Sequence, residues 1–71
     1  MRNERRFWVQ WEDPERPNRW VTAAWLPKAH LALAALRPRR RKWPHHKWRI
    51  WDSQSQTIHY RYYPIQPYEK S

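Results

Sequence analysis

The sequence predicts an α+β fold: a small β-β-α-β-β domain in which an antiparallel sheet carries one helix packed on one face. Four short segments alternate apolar with polar residues, as half-buried strands do, and an alanine- and leucine-rich segment lies between the second and the third. The chain has 71 residues with no cysteine and no glycine, so it must form a single core without disulfides. Seven tryptophans supply bulk to that core despite a mean hydropathy of -1.32.

The first two strands are predicted to form an antiparallel hairpin. Alternation from Arg6 to Trp11 places Phe7, Val9 and Trp11 on one face. Residues 12–18 hold two prolines and four charged side chains, which predicts a loop. The β-type pattern resumes from Arg19 to Leu26, and the residues predicted to share one face there are Trp20, Thr22, Ala24 and Leu26. A hairpin is the simplest connection between two such neighbours.

One helix is predicted from Lys28 to Arg37, a segment dense in strong helix formers. Pro27 suits the first position of a helix, where its missing N–H is no loss. Pro38 is predicted to end the helix, because a proline disfavours helical geometry for the residue before it. The stripe expected to pack against the sheet consists of Ala29, Ala32, Leu33 and Leu36.

The second hairpin follows the helix. Residues 48–51 are predicted as the third strand, residues 52–56 as a polar turn, and residues 57–63 as the fourth strand with Ile58, Tyr60 and Tyr62 on one face. Because the chain has no glycine, a four- or five-residue loop is favoured over a two-residue turn. The domain then spans residues 6–63, between a flexible basic N-terminus (1–5) and a flexible C-terminal tail (64–71). The pattern leaves the order of the strands open.

The net charge of +9 is concentrated in one segment. Residues 36–49 contain seven basic side chains and no acidic one, which accounts for +7 of the total. Because the helix is expected to stop before Pro38, residues 37–47 are predicted to form a basic loop. Such localised positive charge favours an anionic partner, for example the backbone of DNA or RNA.

Arginine and tryptophan are interleaved around this segment in a way that suits nucleic acid. Guanidinium groups match phosphate oxygens bidentately, and Trp43 and Trp48 are candidates to stack on unpaired bases. The residues expected to bind nucleic acid or a partner protein are Arg37, Arg39, Arg40, Arg41, Lys42, Trp43, Lys47, Arg49, Arg5, Arg6 and Trp8. An acidic protein surface is the alternative partner, and a plain solvated loop is the structural alternative.

No constellation of catalytic or metal-ligating residues stands out. The acidic residues Glu12, Asp13 and Glu15 lie in one proline-rich loop, and the four histidines match no zinc spacing. We therefore expect a protein that is not an enzyme and uses no metal or cofactor, and that is a monomer when free. No segment has the apolar length that spans a bilayer, so we expect a cytoplasmic protein. A membrane-active cationic peptide ranks last, since prolines interrupt the basic run.

The opening MRNERRFWVQWED and the central RPRRRKW, in a small, basic, cysteine-free chain, resemble the small phage-encoded regulators of bacterial RNA polymerase. The resemblance is one of size, composition and charge placement over the whole chain. It implies a regulator that docks on RNA polymerase, or on another nucleic-acid-associated protein, in the host cytoplasm and alters initiation or termination. The basic loop would then lie beside nucleic acid. The alternative is a direct DNA- or RNA-binding module of weak sequence specificity.

Overall fold

The structure is a computed structural model and describes residues 4–64. Its elements follow the predicted order β-β-α-β-β, which confirms the α+β fold with one helix on an antiparallel sheet. Their bounds are β1 Phe7–Glu12, β2 Trp20–Leu26, α1 Ala29–Lys42, β3 Lys47–Asp52 and β4 Thr57–Tyr62. Most of the two termini predicted to be flexible, residues 1–3 and 65–71, lies outside the described part of the chain.

The sheet has the strand order β2-β1-β3-β4, and every neighbouring pair is antiparallel. The first strand of each hairpin lies at the centre, so the two hairpins join through β1 and β3. Val9 and Ile50 pair directly across this junction, and both are fully buried. Val9 and Ile50 therefore each have a neighbouring strand on either side, and β2 and β4 are the edge strands.

The core lies between α1 and one face of the sheet. Ala32 and Leu36 are fully buried, and Ala29 and Leu33 pack against the same cluster, which confirms the predicted stripe. The small alanines let α1 lie close to β1, β2 and β3, which it contacts. Among residues 4–64, no helix combines the length and the apolar character that a bilayer crossing requires.

The predicted end of the helix at Arg37 is wrong, because α1 continues through Pro38 to Lys42. A proline inside a helix removes one hydrogen bond and crowds the preceding turn. Two features offset this cost: four basic side chains in the last turn lie at the negative end of the helix dipole, and Arg39 Nη1 donates to the Ala35 carbonyl at 2.8 Å. The predicted basic loop 37–47 therefore shrinks to residues 43–46.

The helix also begins later than predicted. Its first residue is Ala29, and Lys28 is the N-cap residue with an extended backbone. Pro27 thus precedes the helix instead of occupying its first position. Lys28 makes no capping hydrogen bond through its side chain, which leaves the stability of this end to the packing of Ala29 against the core.

A β-bulge divides β2 into two parts that face opposite ways. Ala24 pairs with Val9 over the core, whereas Thr22 pairs with Gln10, so Ala23 is the extra residue. The face opposite α1, which carries Trp8, Gln10, Arg49 and Trp51, is called the open face. Thr22 lies on it and Ala24 does not, so the bulge overturns the single face predicted for Trp20, Thr22, Ala24 and Leu26.

A second bulge has the same effect in β4. Ile50 pairs with Tyr60 on the side of α1, but the next residue, Trp51, pairs with Ile58. His59 is therefore the extra residue, and Ile58 lies on the open face. The prediction that Ile58 shares a face with Tyr60 and Tyr62 is wrong for this reason. The loop between β3 and β4 has four residues, as predicted.

Candidate functional site

The extension of α1 gathers the predicted basic loop into one helical structure. The basic helix end consists of Arg37, Arg39, Arg40, Arg41 and Lys42. Arg37 and Arg41 are four residues apart and therefore neighbours on the helix surface. Both are exposed, as is Lys42. The helix fixes the backbone that carries these three cations, so an anion does not have to order a loop before it binds.

The other two arginines of the basic helix end are half-buried and held by other side chains or backbone. Arg40 Nη1 donates to the Tyr60 hydroxyl at 3.0 Å, and its guanidinium lies 4.8 Å from the ring centroid of Tyr62. Arg39 is held by its hydrogen bond to the Ala35 carbonyl. Arg40 thus ties the helix to β4, while Arg39 points its charge toward the neighbouring cleft.

An aromatic cleft of about 300 Å³ opens beside the basic helix end. Its lining residues are Trp11, Ala23, Arg39, Trp43, His46 and Trp48. They come from β1, β2, the end of α1, the turn after it and β3. The surface is made of three indoles, one imidazole and one methyl group, with a single guanidinium as its only permanent charge. Flat apolar faces therefore dominate it.

The rings of the cleft are arranged in two groups. Trp11 and His46 stack, with centroids 4.9 Å apart and an angle of 18° between the planes. Trp43 and Trp48 lie 6.4 Å apart at 37°. Trp48 is 1% exposed and forms the floor, whereas Trp43 is 42% exposed and forms part of the rim. The ammonium of Lys42 lies 5.0 Å from the Trp43 ring centroid, so a cation stands at that rim.

A short turn places Trp43 and His46 on the cleft. The Trp43 N–H donates to the Arg39 carbonyl at 2.9 Å and ends the helix, and Pro44 follows in the turn. The Trp43 carbonyl then accepts two hydrogen bonds, from the His46 N–H at 3.3 Å and from Trp48 Nε1–H at 3.2 Å. The Trp43 carbonyl thereby fixes the positions of Trp43 and His46 relative to Trp48, the floor of the cleft.

Three other predicted site residues lie on the open face, away from this cleft: Trp8, Lys47 and Arg49. Arg49 Nε donates to Gln10 Oε1 at 2.7 Å, and its guanidinium lies 4.1 Å from the Trp20 centroid. Burial lowers the pKa of this guanidinium, which remains charged at neutral pH. The ammonium of Lys47 lies 3.6 Å from a Glu12 carboxylate oxygen. The structure thus separates the predicted site into two surfaces.

The two predicted N-terminal arginines have contacts of their own. Arg6 forms an ion pair with Asp52 at 2.9 Å and lies over the Phe7 ring at 4.8 Å, so it belongs to the framework of the fold. The guanidinium of Arg5 lies 5.7 Å from the ring centroid of Trp25 at the open face. Neither residue lines the aromatic cleft.

Sequence reasoning missed Trp11, Ala23 and His46 as cleft residues and misjudged Trp48. Alternation assigned Trp11 to the core, and Trp48 was expected to stack on bases, but its 1% exposure makes it a floor that a ligand reaches only at its edge. The observation that would have revealed the cleft is the pairing of Trp11 with Trp48. That pairing follows from the strand order, which the sequence leaves open.

The described residues hold no group of three or more histidine, aspartate or glutamate side chains placed to bind a metal ion. Within the same part of the chain, every buried side-chain nitrogen and oxygen has a hydrogen-bond partner. The cleft and the basic helix end are therefore considered as binding surfaces, not as a metal centre. No protein-family model, curated protein or solved structure matches this chain.

Proposed function

We propose that this chain is a non-enzymatic protein that binds single-stranded nucleic acid. One unpaired base enters the aromatic cleft, and the neighbouring phosphates bind the basic helix end. The observation that carries this proposal is the adjacency of the two features, since Arg39 lines the cleft and belongs to the basic helix end. A flat ring joined to a negative charge fits that combination, and a nucleotide is such a group.

The shape of the cleft favours a base. Its volume of about 300 Å³ is at the lower end of the range for small-ligand pockets. Trp43 presents an exposed indole face at the rim, and stacking of a base on an aromatic side chain contributes about 1–3 kcal/mol. Bases in a duplex are stacked on each other and cannot enter, so the cleft selects unpaired strands.

The basic helix end supplies the attraction that does not depend on sequence. Arg37, Arg41 and Lys42 are exposed, and Arg39 adds a fourth cation at the mouth of the cleft. Phosphates that bind these groups release counterions, so affinity falls with salt. Hydrogen-bond donors that read base edges are few in the cleft, where aromatic faces predominate. Weak base preference follows, in line with the sequence-based alternative.

An acidic protein partner would use the same cations, and it would fill the aromatic cleft only if it also carried a suitably placed aromatic side chain. In a nucleotide the flat ring and the negative charge belong to one group, which is why nucleic acid is favoured. Docking on bacterial RNA polymerase, which the resemblance implies, stays a prediction. In that setting the cleft and the basic helix end would bind RNA or DNA held by the polymerase.

The test is the anisotropy of a fluorescein-labelled thymidine oligonucleotide of about six residues, titrated with the full chain. The key variant combines Arg37→Gln, Arg41→Gln and Lys42→Gln, all exposed. The matched control removes the same charges elsewhere and combines Arg16→Gln, Arg19→Gln and Lys28→Gln, also exposed. We expect a log–log slope of affinity against salt near -3 for wild type and control, and near -1 for the key variant.

The variant Trp43→Ala tests whether a base stacks in the aromatic cleft. We expect it to weaken binding of the oligonucleotide about 5- to 150-fold with little change in the salt slope, because it removes stacking and no charge. A complementary duplex of the same length should bind more weakly than the single strand. The proposal would be overturned if the key variant and its control bound the oligonucleotide with equal affinity. It would also be overturned if the chain preferred the duplex and Trp43→Ala left that preference unchanged.

A further inference from the structure

The open face carries an apolar row that crosses all four strands. Trp8 pairs with Trp25 of β2 on one side and with Trp51 of β3 on the other, and Trp51 pairs with Ile58 of β4. Direct partners in adjacent strands lie about 5 Å apart, so the row is a continuous strip of about 15 Å. Trp25 is 47% exposed, and the other three are half-buried. No element of residues 4–64 covers them, since α1 packs on the opposite face.

A polar row runs beside the apolar one, two residues away along β1 and β3 and three residues away along the bulged strands β2 and β4. Thr22, Gln10, Arg49 and Arg61 pair in that order across the sheet. Gln10 Nε2 donates to the Thr22 hydroxyl at 3.0 Å, and Arg49 Nε donates to Gln10 Oε1 at 2.7 Å. These bonds hold the Arg49 guanidinium against Trp20. The face therefore presents a fixed arginine and the exposed Arg61 next to a strip of indoles.

We propose that the open face is a second stacking platform, on which a longer single strand lays further bases while Arg49 and Arg61 hold its phosphates. The inference rests on the proposed function and adds a second site to it. The occupant follows from charge: among the paired strand residues of this face, three are basic (Lys47, Arg49 and Arg61) and Glu12 is acidic. A strip of indoles beside a row that contains Arg49 and Arg61 matches the bases and the phosphates of an extended strand.

A second copy of this chain fits the face less well. Stacking two open faces would remove the strip from water together with Arg49 and Arg61 of both copies. Charges buried in an interface without an opposite partner cost affinity. A strand of nucleic acid neutralises them instead, because it carries one phosphate for each base.

The experiment compares two labelled thymidine oligonucleotides, of about four and about sixteen residues. The short one fills the aromatic cleft alone, whereas the long one reaches both surfaces. The open-face variants are Trp25→Ala, Trp51→Ala and Arg61→Gln, and the cleft variant is Trp43→Ala. Leu31→Ala is the control, because Leu31 is a comparably exposed apolar residue on α1. Circular dichroism melts establish that each variant is folded, and Trp25→Ala and Arg61→Gln change exposed side chains.

We expect the two tryptophan variants to weaken binding of the long oligonucleotide about 5- to 150-fold each and to leave the short one unchanged. Trp43→Ala should weaken both. If the open-face variants leave the long oligonucleotide unaffected while Trp43→Ala weakens both, the second platform is wrong and the proposed function stands. If Trp43→Ala affects neither length, the proposed function fails. A concentration-dependent dimer in sedimentation that Trp25→Ala abolishes would assign the face to self-association instead and overturn the inference.

Discussion

Arg6 donates two parallel hydrogen bonds to the Asp52 carboxylate, from Nε to Oδ1 and from Nη2 to Oδ2, each 2.9 Å long. The residue before β1 is thereby joined to the last residue of β3. The Asp52 carboxylate also accepts the N–H groups of Gln54 and Ser55 in the turn that follows. The carbonyl of Arg6 completes the link by accepting the Ser53 N–H at 2.8 Å. One buried carboxylate therefore organises both the start of the sheet and the second hairpin.

The stability of the fold should decline in acid because of this carboxylate. The Arg6 guanidinium, aided by hydrogen bonds from the turn, holds the pKa of Asp52 well below its usual range. A lowered folded-state pKa stabilises the fold fully above the unfolded value near 3.9, and that contribution is lost as pH falls through the folded value. We expect Asp52→Asn to lower the melting temperature by several degrees at pH 7. The difference from wild type should shrink steadily below about pH 4.

Thermal melts by circular dichroism from neutral pH down into the acid range measure this difference. Glu15→Gln is the control, because Glu15 is an exposed carboxylate in the loop after β1. A constant difference between wild type and Asp52→Asn across the whole range would contradict the role assigned to the ion pair.

Pro38→Ala should stabilise the protein. The proline stands in the interior of α1, where it removes one backbone donor, and an alanine would restore the hydrogen bond to the carbonyl one turn earlier. The expected gain is about 1–3 kcal/mol, reduced by the greater freedom of the unfolded chain. Urea unfolding measures it. Pro44→Ala, in the turn after α1, should bring no such gain, and equal effects of the two substitutions would contradict a continuous helix through position 38.

Leu36→Ala should nearly unfold the domain. Leu36 is fully buried between α1 and the sheet, and truncation of such a leucine costs about 2–5 kcal/mol. A domain of this size has about 3–5 kcal/mol of stability in total. Leu31→Ala on the exposed side of the same helix should change stability by less than about 0.5 kcal/mol. Similar urea midpoints for the two variants would show that α1 does not pack through Leu36.

Gln56→Gly should stabilise the second hairpin. Gln56 has a φ of 58°, a left-handed conformation that costs a residue with a Cβ about 1–2 kcal/mol and glycine very little. We expect a gain of about 1 kcal/mol in urea unfolding. Gln54→Gly in the same loop should lower stability, because Gln54 is not among the residues with positive φ. A loss for both variants would refute the left-handed geometry at Gln56.

Alternation and helix propensity were sufficient to predict the element order and the packing stripe of α1. The helix end was not predictable from the rule for Pro38 alone, because that rule describes local sterics and omits what the following residues contribute. Arg39 bonds back to the Ala35 carbonyl, and the basic side chains after it interact favourably with the helix dipole. A basic run directly after a proline is thus compatible with a continuing helix.

The sequence pattern did not predict the two bulges, for a different reason. Ala23 and Ala24 are adjacent and both small, so nothing in the pattern marks one of them as the extra residue of β2. The aromatic cleft was missed because it needs strand order, which brings Trp11 beside Trp48, and a turn that brings His46 over Trp11. Both relationships join residues more than thirty positions apart, where periodicity carries no information.

The most direct test of the central claim is to see which indoles a short oligonucleotide touches. The seven tryptophans each give one indole N–H signal in a ¹⁵N correlation spectrum, which single substitutions assign. On titration with a thymidine oligonucleotide of about four residues, we expect the signals of Trp11, Trp43 and Trp48 to move together and saturate, while that of Trp25 stays in place. Saturable shifts confined to tryptophans outside the cleft, or no saturable shift at all, would contradict the account.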